Sequence, residues 1–271
     1  MIRLGVRCDP GQADAVLAEL LQLAPNGVEE ERGRGWVEYA IYGPPGEVPD
    51  LGALQAAVGD AEVEVSSSAV PDDWADRWAD FHRPIVVADR IRVRPSWWDA
   101  EGEAIDVVID PGRAFGTGAH ATTRLCLELL VELADRGGQG ALADWGTGSG
   151  VLAIAAARLG WAPVCACDRE PASLEAAGAN AEANGVDLAL ERVDVREQAP
   201  PFAPTVVANL TAPLLVACAG SLTDAPRSLV CSGMLPGEVS DVAAAFTGAG
   251  LTEAERRSDG DWAALLLGAD A

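Results

Sequence analysis

The chain contains no lysine: all 19 basic residues are arginines, set against 42 acids, and the net charge is −23. So acidic a surface disfavours a broad grip on nucleic acid, because every phosphate contact calls for a cation. It suits a basic protein partner or a positively charged cofactor. Arginine-only usage is equally the mark of a GC-rich genome or a salt-adapted surface. Long apolar runs are missing too, with nothing approaching the roughly 18 uninterrupted apolar residues of a membrane span. The opening Met1-Ile2-Arg3-Leu4-Gly5-Val6 alternates like a strand and lacks the apolar core of a secretion leader. These absences predict a cytoplasmic chain with no membrane and no direct nucleic-acid partner. The six cysteines are scattered. Cys165 and Cys167 share one face of a strand, yet no second Cys or His cluster supplies the further ligands a metal needs, so reduced, mostly buried thiols and no metal are expected. Internal repeats and long disordered stretches are absent as well.

What is present is enough apolar material, 49% of 271 residues, for one large or two unequal domains. Residues 1–68 read as a small domain: a strand at 2–8, helical spacing over 13–23, two pairing strands at 27–31 and 36–42, a short helix at 51–58 and a last strand at 61–66. The order βαββαβ predicts a ferredoxin-like α+β sandwich. Ser66-Ser67-Ser68 and Pro71 mark its exit, and residues 69–84 form a linker helix with Trp74, Trp78 and Phe81 along one side. Residues 85–271 form the large domain, opened by strands at 85–87, 91–93 and 104–109. From Ala121 onward helices and strands alternate, as a mostly parallel α/β sheet requires, and a closing hairpin pairs 251–257 with 263–267.

The organising stretch is Leu142-Ala143-Asp144-Trp145-Gly146-Thr147-Gly148-Ser149-Gly150, followed by the apolar run 151–159 and by Val164-Cys165-Ala166-Cys167-Asp168. It reads as strand, glycine loop, helix, strand, acid. Alternate glycines let the backbone turn sharply and approach a ligand, and the helix they open aims free N–H groups at it. An acid at the end of the next strand sits where a ribose presents its hydroxyls. A dinucleotide site wants Gly-x-Gly-x-x-Gly, and the third glycine position is Val151 here. Gly146-x-Gly148-x-Gly150 instead resembles the first motif of the seven-strand, Rossmann-like methyltransferases that use S-adenosyl-L-methionine.

A second glycine-punctuated loop, Asp110-Pro111-Gly112-Arg113-Ala114-Phe115-Gly116-Thr117-Gly118-Ala119-His120-Ala121-Thr122-Thr123, feeds a helix whose first turn carries two hydroxyls, which either hold a ligand or cap the helix. Together with Val207-Ala208-Asn209-Leu210, Ser232-Gly233-Met234-Leu235 and Asp261-Trp262, it resembles the ribosomal protein L-eleven methyltransferase (PrmA) family over almost the whole chain. The resemblance implies transfer of methyl groups from S-adenosylmethionine to lysine side chains and the N-terminal amine of a basic ribosomal protein, with the N-terminal domain recognising that substrate. It also implies that Thr123, Gly146, Asp168 and Asn209 contact the cofactor; Gly148 lies in the same loop, and Asn209 is placed to orient the amine. A monomer is expected. Arg113, Ala121, Trp145 and Pro213 depart from the family's usual pattern, which leaves cofactor use in place and bears on substrate identity.

Direct displacement needs a neutral amine, whereas free lysine, titrating at about 10.4, is neutral in less than about one part in a thousand at pH 7. Desolvation of the entering amine and acceptors such as the Asn209 side chain favour the neutral form without a strong protein base. His120 is the one side chain weighed as a base. Other readings are a methyltransferase of the same fold acting on another protein or a small amine, a nicotinamide-dependent dehydrogenase, which the missing third glycine disfavours, and a non-catalytic binding module.

Overall fold

The computed structural model describes residues 2–13, 16–17, 20, 29–33, 35–43, 63–69, 83–110, 120–137 and 139–269. They divide between two compact units, Met1–Phe81 and His82–Ala271.

The N-terminal unit holds four strands, β1 (Ile2–Cys8), β2 (Glu29–Gly33), β3 (Trp36–Gly43) and β4 (Val63–Ala69), in the antiparallel order β2-β3-β1-β4. Placing the first and third strands at the centre is what a βαββαβ sandwich does, as the sequence predicts. Alternation decides the faces: Leu4, Val6 and Cys8 meet Val37, Tyr39 and Ile41 with Ala13, Val16 and Leu20, which are helical and buried. On the other face Glu38 accepts from Arg3 Nη2 at 2.5 Å and Arg7 Nε at 3.0 Å, and the Arg3 bond holds its carboxyl below the usual carboxylate range. The expected helix at 51–58 and nearly all of the linker helix at 69–84 lie outside the described residues.

In the C-terminal unit, β5 (Ile85–Val87), β6 (Ile91–Arg94) and β7 (Ile105–Val108) form a small sheet of their own. The chain continues through α1 (Ala121–Asp135), β8 (Leu142–Trp145), α2 (Val151–Arg158), β9 (Val164–Asp168), α3 (Pro171–Asn184), β10 (Ala189–Arg192), β11 (Thr205–Asn209), α4 (Ala212–Ser221), β12 (Ser228–Met234), α5 (Val239–Gly248), β13 (Leu251–Asp259) and β14 (Trp262–Ala269). The large sheet runs β10-β9-β8-β11-β12-β14-β13, parallel except for β14, which is antiparallel to both neighbours. Strand order reverses between β8 and its neighbours β9 and β11, so a crevice opens at the carboxyl ends of those strands.

Each sheet face has its own core. Val207 and Val230 point to one shared with α1, α2 and the small sheet, while Ala208 and Cys231 point to the other, covered by α4 and α5. Strands buried on both sides read as continuous apolar runs, as Val206-Val207-Ala208 within β11 does. Asn184 at the end of α3 clips the small sheet in place, accepting from the Val108 N–H at 2.8 Å and donating to its carbonyl at 2.7 Å. Two elements outrun their sequence-based bounds. β12 passes Ser232 through a register shift to reach Met234, and the closing turn shrinks to Gly260-Asp261, with Asp259 paired to Trp262. Gly260, at φ +58, permits a turn that tight.

Candidate active site

The glycine loop is built from three left-handed residues, Gly146 (φ +74), Gly148 (φ +54) and Gly150 (φ +84), a conformation that strains any residue with a Cβ. The Gly146 and Thr147 N–H groups both donate to the Cys167 carbonyl at 2.9 Å, which folds the loop over the end of β9. There Asp168 Oδ2 accepts from the Gly148 N–H at 3.0 Å and Oδ1 from the Glu170 N–H at 2.9 Å. A side chain at Gly146 would stand 2.3 Å from Leu210 Cδ2, so the loop approaches the β11 exit closely only because it is bare.

Beneath the loop lies Asp144, 1% exposed, which spacing alone did not single out. Its Oδ2 accepts from the Thr147 hydroxyl at 2.7 Å and the Ala153 N–H at 3.2 Å, tying β8, the loop and α2 together, while its Oδ1 has no partner among the described residues. Burial outweighs both bonds and pushes its carboxyl up to about 7. The signal was legible: an acid inside an apolar strand is either paired or protonated.

At the end of β11, Asn209 Nδ2 donates to Thr122 Oγ1 at 3.1 Å and to Thr123 Oγ1 at 3.3 Å, both threonines being buried in the first turn of α1. His120 caps that helix, its Nδ1 accepting from the Thr122 N–H at 3.4 Å. The next residue, Leu210, donates its N–H to the Ser232 carbonyl at 3.0 Å. Gly233 passes so close that a Cβ there would lie 2.4 Å from the Leu210 carbonyl oxygen.

Thr123, Gly146, Gly148, Asp168 and Asn209 line a single cavity of about 360 Å³. The same wall includes Val193, Asp194, Arg196 and Leu214, which the sequence reading passed over, and Leu210, which it quoted beside Asn209 without a role. Asp194 lies two residues past the end of β10, where the rule that ligands sit beyond carboxyl strand ends would have pointed to it; its bonds from Arg196 hold its carboxyl at about 2. Of the residues that depart from the usual pattern, Trp145 is fully buried in the core under α4 and α5 and donates its indole N–H to the Pro201 carbonyl at 2.9 Å. Pro213 sits in the first turn of α4, where its missing N–H costs nothing. Arg113 lies outside the described residues.

Acceptors at one end for hydroxyls, backbone loops at the centre and a neutral amide at the other end fit a nucleoside carrying a short polar tail. A doubly wound seven-strand sheet with an antiparallel last-but-one strand, a Gly-x-Gly-x-Gly turn and an acid after β9 define a methyltransferase that uses S-adenosylmethionine. The chain matches the model of the ribosomal protein L11 methyltransferase (PrmA) family over residues 49–269. It is 41% identical to a ribosomal protein L11 methyltransferase of Pelotomaculum thermopropionicum, over 80% of this chain and 72% of that one. It is 34% identical to the ribosomal protein L11 methyltransferase of Symbiobacterium thermophilum, over 98% of both chains. Among solved structures it is similar to a ribosomal protein L11 methylase from Lactobacillus delbrueckii subsp. bulgaricus, with a TM-score of 0.62 and 29% identity over 69% of this chain and 99% of that one. The chain belongs to the ribosomal protein L11 methyltransferase family.

Proposed function

We propose that this methyltransferase modifies amines of ribosomal protein L11, on lysine side chains and the N-terminal amine. The observation that carries this is the end-to-end similarity, both units included, to a relative named for that substrate. In this reading Asp168 accepts from the ribose hydroxyls, the Gly146–Gly148 loop passes beneath the methionine portion, and Thr123 and Asn209 flank the transferable group. When bound, S-adenosylmethionine supplies an electrophilic methyl carbon. The chain's own part is positional: the cavity strips water from the amine, which favours its neutral form, and Asn209 Oδ1 accepts an amine N–H so that the nitrogen lone pair points along the carbon–sulfur axis. The proton leaves to solvent from the alkylated nitrogen.

The N-terminal unit is the substrate-recognition part, and the enzyme works as a cytoplasmic monomer on a basic protein, which its charge of −23 attracts. Its acidity speaks against a direct nucleic-acid partner. Incubation with a labelled methyl donor and either purified ribosomal protein L11 or whole-cell extract, followed by mass identification, tests the reading. Label is expected on amines of L11. Label on another protein or a small amine, with L11 unmodified, overturns it. Removing Met1–Phe81 is expected to spare cofactor binding and abolish L11 methylation; a truncated chain that methylates L11 at full rate would end the assignment of recognition to that unit.

A further inference from the structure

The Asn209 end of the cavity carries a hydrogen-bond chain that runs out of the cavity to His120. Asn209 Nδ2 donates to Thr122 Oγ1 at 3.1 Å, and that oxygen lies 2.8 Å from His120 Nδ1. The Thr122 N–H points at the same imidazole nitrogen, at 3.4 Å. A ring nitrogen that accepts from a backbone N–H bears no proton, so the Thr122 hydroxyl is a donor to it. The sense of the whole chain follows: amide N–H to threonine oxygen, threonine O–H to imidazole. With its proton committed to His120, Thr122 offers only lone pairs to the amide. Asn209 must then present Nδ2 to the threonines and turn Oδ1 the other way. The imidazole is braced edge-on against Trp262, with ring centroids 4.9 Å apart and planes 67° from parallel.

We propose that His120 is a positioning residue for methyl transfer: acting through Thr122, it fixes which end of the Asn209 amide, Oδ1 rather than Nδ2, meets the incoming amine. The inference rests on the amine-methylation reading above. It separates His120 from a base, since Nδ1 is already engaged by two donors from Thr122. Burial, and then the charge of Arg124 one turn along α1, lower the titration of the imidazole, which favours the neutral ring. Arg124 is in turn paired with Asp259 on the closing hairpin. Loss of the acceptor frees the Thr122 rotor, and an amide presenting its NH₂ would donate to the amine lone pair that attack requires.

Four single variants, one double variant and one spectrum test this. Asn209→Ala comes first: if it methylates L11 at the full rate, the amine-site reading itself fails. Given a loss there, His120→Ala should lower kcat by about 10- to 100-fold, the cost of a misplaced reacting group, with S-adenosylmethionine affinity unchanged. His120→Asn, whose Oδ1 replaces Nδ1 as acceptor and also caps a helix well, should restore most of kcat. Thr122→Val should match His120→Ala, and combining the two should cost no more than either alone, as for residues in one network. The chain has only two histidines, so ¹⁵N-imidazole signals that vanish in His120→Asn belong to His120. They should show a neutral ring protonated on Nε2 at neutral pH. An Nδ1-protonated ring, additive losses, an unaltered kcat in His120→Ala, or a His120→Asn as slow as His120→Ala would each overturn the proposal while leaving the Asn209 result standing.

Discussion

The two ends of the cavity are made in different ways. The end proposed for the cofactor is backbone and one acid: left-handed glycines, N–H groups stacked on the Cys167 carbonyl, and Asp168, with Asp144 sealed beneath the loop. The Asn209 end is neutral and assembled from side chains, an amide held by two threonine hydroxyls that come from a helix 86 and 87 residues earlier. The difference suits the chemistry. A cofactor must be gripped identically in every turnover, and backbone positions do that with little conformational freedom to lose. An amine must be aligned but not held as a cation, and neutral acceptors in a dry site favour the uncharged form that a carboxylate would oppose.

Asp144 offers the hardest test of the cofactor end. Its folded-state pKa of about 7 lies above the unfolded value of about 3.9, so the folded chain holds the proton longer. Its contribution to stability is therefore greatest below about pH 4 and falls as pH rises through the window to about pH 7, by about 4 kcal/mol for a shift of about three units. Asp144→Asn cannot ionise. Its urea-unfolding free energy should decline less than that of the parent between pH 4 and pH 8, and parallel curves would mean that Asp144 is ionised in the fold.

A slightly smaller effect is expected at the other end from Gly233→Ala. At φ +93 and with the Leu210 carbonyl oxygen 2.4 Å from the new Cβ, strain plus overlap should cost about 3 kcal/mol of stability. Any shift in Leu210 also moves Asn209, so methyl transfer should slow by more than cofactor affinity falls. A variant in which cofactor affinity fell and kcat held would dissolve the distinction between the two ends. Asp168→Ala should do the reverse. Losing hydrogen bonds to a charged acceptor, worth about 1.5–3 kcal/mol, weakens S-adenosylmethionine roughly 10- to 100-fold by calorimetry, with kcat recovered at saturating cofactor. Unchanged affinity would mean that the acid only braces Gly148.

The mildest effect concerns the surface both ends share. Attraction between a chain of charge −23 and a basic substrate is screened over about 8 Å at physiological ionic strength, so the substrate on-rate should fall with added salt and cofactor affinity should not. A flat on-rate would make the acidity compositional.

The contrast between the ends is also one of legibility. Gly146, Gly148 and Asp168 were readable because a tight turn and a strand end are local events, encoded by consecutive residues whose geometry allows little else. The strands that alternate with helices were readable for the same reason, since burial on both faces of a parallel sheet leaves an apolar run such as Val206-Val207-Ala208 in plain view. Asn209 and Thr123 were reached through family resemblance and not through spacing. Nothing within either stretch says that an amide on β11 will meet hydroxyls on α1.

That meeting belongs to the tertiary structure. Sequence by itself determined the α/β class and the glycine turn, because each follows from local sterics and periodicity. Only the packed sheet decided that Asp144 would be sealed beneath the loop, that Leu210 would pass between two bare glycines, and that His120 would reach Asn209 through a single hydroxyl. The desolvation of an acid, the close approach of one backbone to another and the direction of a hydrogen-bond chain are properties of neighbours in space, and no stretch of chain contains its own neighbours.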